Sequence, residues 1–90
     1  MTIYQSNDQT NPAWVLEQIK GKPEDISWVG ACHKRCMTFL DLYVKKQIDA
    51  ATLRFNLVNI RGTKHEYASY QESIRKDQLD DLINPLIETL

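Results

Sequence analysis

Apolar residues return along this chain at steps of three and four, the spacing that gathers side chains on one face of an α-helix. Trp14, Val15, Leu16 and Ile19 form a first short set, opened by Asn11 and Pro12 and closed by Gly21. Asparagine can cap a helix, and proline at the first position loses no needed donor. Met1 to Thr10 are mostly polar and show no period. They are expected to form a flexible N-terminal arm ahead of a single helical domain over 11–90.

The dominant run follows. Ile26, Val29, His33, Cys36, Met37, Leu40, Tyr43, Val44 and Ile48 share one face, and Pro23, Glu24 and Asp25 stand where a helix start favours proline and acidic groups. This pattern predicts a helix from Glu24 to Gln47, roughly 36 Å long at ~1.5 Å per residue. Trp28, Cys32, Phe39 and Leu42 add a second stripe on an adjoining face, leaving Lys34, Asp41 and Lys45 for the remainder. A helix apolar over more than half its circumference must bury two sides, and in so short a chain the second side can meet another protein. Trp28, Phe39 and Leu42 are therefore the expected partner-binding residues, for a protein partner or a homodimer.

Asp49 is placed to cap a helix from Ala50 to Arg61, whose stripe is Ala50, Leu53, Leu57 and Ile60. Gly62 falls where a helix end favours positive φ, and Thr63-Lys64-His65-Glu66 has the form of a capping box. Arg61-Gly62-Thr63 is thus expected to be a tight corner into a helix lined by Tyr67, Tyr70 and Ile74. Asp77 should begin or re-cap a last segment with Leu79, Leu82, Ile83, Leu86 and Leu90 inward, and Asn84-Pro85 should kink or break it. Alternation of Leu53, Phe55 and Leu57 offers a competing β-hairpin over 53–70, turning at 61–64. The helical template accounts for more of the apolar positions and for the caps on both sides. The expected fold is all-α, a compact bundle of four to five helices around one long central helix.

Composition narrows the function classes without choosing one. The 90 residues are 42% apolar and 26% charged, with only 3 Gly and 3 Pro, which excludes collagen-like, linker and low-complexity chains. No apolar run approaches the ~18 residues of a membrane span, and no signal-peptide pattern opens the chain. Two cysteines are too few for a disulfide scaffold, so a cytoplasmic domain with no membrane partner is expected. A domain this small has a thin core and little material for a catalytic pocket with its supports, which favours a binding module.

Candidate chemistry is sparse. Cys32-His33-Lys34-Arg35-Cys36 puts two thiols one helical turn apart, yet structural zinc wants four ligands and His65 stands alone elsewhere. The two cysteines are expected as small core hydrophobes, with a redox switch promoted by Lys34 and Arg35 as the alternative. His33 lies near the centre of the main stripe and is expected as a hydrogen-bonded core residue. Asp80 and Asp81 diverge by about 100° on a helix and cannot work as a paired acid and base. No phosphate loop, His-Glu-x-x-His or Gly-x-Ser-x-Gly is present. The expectation is no catalytic residue, no metal and no cofactor.

Charge is more informative in its distribution than in its total of −1. Lys45, Lys46, Arg54, Arg61 and Lys64 oppose Asp49 alone over 45–65, a balance of +4, while 66–90 carries −4. These two faces can pair within the fold or between protomers, or the basic one can meet nucleic acid. A helix-turn-helix can be drawn with Met37 to Lys46 first, a turn near Gln47-Ile48-Asp49 and Ala50 to Arg61 as recognition helix. Gln47 and Tyr43 stand where that motif favours small residues. The expected function is a small non-enzymatic regulatory or inhibitory protein–protein interaction module that self-associates. The alternative is a small helix-turn-helix-like DNA-binding regulator using residues 45–64.

Overall fold

Four side-chain caps set where the helices begin. The computed structural model describes residues 9–21 and 27–90. In it Asn11 accepts from the Ala13 amide, Ser27 from Val29, Asp49 from Thr52 and Ser69 from Glu72. Each cap occupies an extended backbone, so the helical dihedrals start one residue later. The helices are α1 (Pro12–Lys20), α2 (Trp28–Val44), α3 (Ala50–Gly62) and α4 (Tyr70–Thr89). The described residues contain no strand. The alternative hairpin over 53–70 is therefore replaced by α3, a loop and the first residue of α4.

Several expected boundaries move, each for a local reason. Residues 1–8 of the expected arm, and Pro23, Glu24 and Asp25 at the expected helix start, lie outside the described residues. Ser27 is extended, with ψ 178°, so α2 cannot run unbroken from Glu24. At its other end α2 stops at Val44 rather than Gln47, because the chain turns left-handed at Lys46, with φ 62°. The Gln47 amide donates to Leu42 O and the Lys46 amide to Tyr43 O, the paired bonds that close a Schellman motif. Seventeen residues make α2 about 25 Å long. Among the described helices α4 is longer, with 20 residues, and α2 and α4 each touch the other three.

The corner after α3 also differs. Gly62 is helical and has no positive φ, and the Thr63 hydroxyl donates to Asn59 O instead of capping a new helix. The capping box lies at Ser69 and Glu72, where hydroxyl and carboxylate reach each other's backbone amides at 3.1 and 2.8 Å. Tyr67 and Tyr70 stand in solvent rather than lining a helix core, at 83% and 79% exposure. α4 then continues past both Asp77 and Pro85 without a break. Proline deprives the Asp81 carbonyl of its amide donor, and Asp81 is exposed, so water can satisfy that oxygen.

Each helix gives a stripe to one core. Val15, Leu16 and Ile19 of α1 meet Cys32, Cys36 and Leu40 of α2, Leu53, Leu57 and Ile60 of α3, and Leu79, Ile83, Leu86 and Ile87 of α4. Consecutive helices pack together, α4 also touches α1 and α2, and α1 and α3 do not meet. Burying each of these large apolar side chains is worth about 1.5–3 kcal/mol. α1, α3 and α4 all pack on α2, whose Val29, Gly30, Cys32, Cys36 and Leu40 are buried while Trp28, Met37, Phe39, Leu42 and Tyr43 stay half-buried.

Candidate functional site

Only part of α3 faces inward. Leu53, Leu57 and Ile60 are fully buried, and at 100° per residue Ala51, Phe55, Val58 and Gly62 fall on the opposite side. Their steps of four, three and four make a straight apolar line along the helix. Ala51 and Gly62 are exposed and Phe55 is 66% exposed, while Val58 is half-buried and packs against the core. A Cβ added at Gly62 would meet nothing within 4 Å. Arg54 and Arg61, seven residues apart, flank this line on the side towards α4, and α3 contains no acidic residue.

Arg61 joins the two helices. Its Nη1 donates to the Asn84 side chain, and its carbonyl accepts from Lys76 Nζ at 3.2 Å. The same ammonium pairs with Asp80 at 2.7 Å and is 4% exposed as a residue. It satisfies a carbonyl that the end of α3 would otherwise leave open. Burial, more than anything, raises the Asp80 carboxyl above its ordinary value, with Lys76 pulling it back down. Nothing local to Lys76 marks it for burial, since the carbonyl its ammonium meets belongs to another helix.

Beside this tie lies a cleft of about 170 Å³ walled by Trp28, His65, Lys76 and Asp80. The Trp28 and His65 rings stack at 5.7 Å and 22°. His65 Nδ1 accepts from the Tyr67 amide at 3.3 Å. The buried Trp28 indole nitrogen makes no well-formed hydrogen bond, although it lies close enough to Glu72 to help hold that carboxyl low. The backbone amide of Ser69 is the main cause of that lowering.

The expected partner stripe is largely taken up by its own chain. Trp28 and Phe39 pack against the core and Leu42 is half-buried. Cys32 and Cys36 are buried free thiols, as small hydrophobes would be. Burial raises both thiols, Cys36 to about 12, which leaves neither as a ready thiolate. His33 is half-buried. Among the described residues no three His, Cys, Asp or Glu side chains cluster to hold a metal.

The five basic residues are spread along α3 and its two ends. Lys45 pairs with Asp41 at 2.9 Å and Arg61 is bonded to Asn84, while Lys46, Arg54 and Lys64 are exposed. No described helix is long and apolar enough to cross a membrane. The chain matches no protein-family model, no curated protein and no solved structure. The outward face of α3 is the feature with a geometry suited to binding. Phe55 could have signalled it in the sequence, being the one large apolar residue of α3 that neither buried stripe nor cap explains.

Proposed function

We infer that this chain is a small non-enzymatic regulatory or inhibitory module that acts by protein–protein contact and self-associates. One observation carries the reading: Phe55 stands 66% exposed on the side of α3 opposite the buried Leu53, Leu57 and Ile60, in line with the exposed small residues Ala51 and Gly62. Exposed phenylalanine in a straight line with small residues suits the approach of another helix, because small side chains let backbones come close. This face takes the lead over Trp28 and Phe39, which pack against the core, and Leu42, which is half-buried. Two buried thiols fit a cytoplasmic setting, where cysteines stay reduced.

Affinity capture of the tagged chain from its native cells tests this. A protein recovered by the wild type and lost at least about tenfold with Phe55→Asp, at unchanged helical circular dichroism, supports it. An identical set of proteins recovered by both forms sinks it.

The DNA-binding alternative draws on a single feature, the absence of acidic residues from α3 beside Arg54 and Arg61. With Lys45 and Arg61 already partnered, the footprint reduces to Lys46, Arg54 and Lys64. Binding to duplex DNA should then follow salt with a log–log slope of about −2.7 rather than about −4.5. Loss of anisotropy for random and genomic duplexes by about 200 mM salt removes the alternative.

A further inference from the structure

The acidic surface that would complement α3 is present on the same chain. Glu72 lies beside Trp28 at the start of α2, and His65, just past α3, stacks on that same Trp28. α4 therefore sets out from the end of α3 and runs back antiparallel to it. Arg61 reaches Lys76 through its carbonyl and Asn84 through its guanidinium, so it stands level with about residue 80 of α4. Seven residues towards the start of α3, Arg54 stands level with about residue 87. On the outer side of α4, Asp77, Asp81 and Glu88 lie within about 40° of one another and are all exposed. The surface across α3 and α4 thus sets the exposed Arg54 and Phe55 of α3 beside an acidic column on α4.

We propose that this α3–α4 face pairs with the same face of a second copy of the chain. The proposal rests on the interaction-module reading and names its occupant. A two-fold axis parallel to the helices, in the groove between them, lays α3 of each copy on α4 of the other and keeps the levels unchanged. Arg54 then meets the partner's Glu88, and Phe55 comes down beside the partner's Pro85, while Arg61 stays bonded to Asn84 of its own chain. Each contact occurs twice, and the symmetry closes the assembly at two copies. An axis across the helices would instead lay α3 on α3 and bring the arginines of one copy towards those of the other, which like charges oppose.

The area is modest. α3 is about 20 Å long and two helices are about 20 Å wide, so the pair buries on the order of 800 Å² in total. That lies below the roughly 1,200–2,000 Å² of stable specific interfaces and makes the dimer a weak, transient one. Opposite charges make the association salt-sensitive.

Sedimentation equilibrium of the full chain between about 10 and about 500 μM, at about 50 and about 500 mM salt, reads this directly. The wild type should dimerise and weaken several-fold at the higher salt. Arg54→Glu alone and Glu88→Lys alone should each weaken the dimer about tenfold or more, at unchanged helical circular dichroism. An equimolar mixture of the two should dimerise to within about threefold of wild type, since each variant then supplies the charge the other lacks. Both positions are exposed, so both variants keep the fold. A mixture that stays monomeric overturns the proposal. So does a dimer that survives Arg54→Glu and is lost in Leu42→Lys, which would move self-association to the α2 stripe. A wild type monomeric throughout also overturns it, yet leaves the interaction-module reading standing if capture still depends on Phe55.

Discussion

α2 and α3 lie against each other and use their apolar residues in opposite ways. α2 spends a broad face on its own fold, burying Val29, Gly30, Cys32, Cys36 and Leu40 with Trp28, Phe39 and Tyr43 packed alongside. α3 buries only Leu53, Leu57 and Ile60 and leaves Phe55 outside. The difference follows from neighbours. α2 is touched by all three other helices, whereas α3 never meets α1. A side with no helix against it stays open, whatever residues it carries. Hydrophobicity along a helix therefore says how much surface wants covering, and the packing says which part is covered within the chain.

Truncation within α3 is the sharpest way to break this contrast. Leu57→Ala should cost about 2–5 kcal/mol, because a fully buried leucine leaves a cavity. Phe55→Ala should stay within about 0.5 kcal/mol of wild type, because most of its ring is already in water. Urea unfolding of dilute protein measures both. Equal losses at the two positions would mean that α3 is not divided into a buried and an open side.

Burial on α2 carries a pH signature. Cys36 has its thiol pushed from 9.0 up to about 12, chiefly by burial, so the folded state holds its proton while the unfolded chain ionises. The contribution is complete below pH 9.0 and is lost as pH rises towards about 12. The slope from this group approaches about 1.4 kcal/mol per pH unit. Urea midpoints taken between about pH 8 and about pH 10.5 should fall more steeply for wild type than for Cys36→Ala. Parallel curves would place Cys36 in contact with water.

The smallest effects come from the two ends of α3, where the backbones differ. Gly62→Ala should stabilise by about 0.4–1 kcal/mol, since Gly62 is helical and nothing stands within 4 Å of an added methyl. Lys46→Gly should also stabilise, by up to about 1 kcal/mol, because it is lysine that holds the left-handed φ of 62°. A destabilised Gly62→Ala would restore the expectation that the chain turns left-handed there. Thermal melts resolve shifts of this size in a domain this small.

The two junctions also show what could be read in advance. Asn11 with Pro12, and Asp49 ahead of Ala50, announced two helix starts correctly, because a cap is a contact between residues two or three apart. Thr63 to Glu66 carried the same local signal and did not use it. A better-placed box at Ser69 and Glu72 starts α4, and Lys76 together with the Thr63 hydroxyl occupies the carbonyls at the end of α3. Lys46 was illegible for the converse reason. Its left-handed turn is imposed by the Schellman bonds to Leu42 and Tyr43, with no glycine to announce it.

For the candidate site, the sequence contained the basic and acidic segments and the unplaced Phe55, but not their arrangement. It offered Trp28, Phe39 and Leu42 for partner contact, and a helix drawn alone cannot show that α1, α3 and α4 pack on α2. Helical class, two of the four caps and most of the core stripe follow from spacing and side-chain chemistry within a few residues of each position. The burial of Lys76, the exposure of Phe55 and the alignment of Arg54 with the far end of α4 depend on which helices become neighbours. That choice was made by the packing of the whole chain, because burial is a property of what lies opposite a side chain and not of the side chain itself.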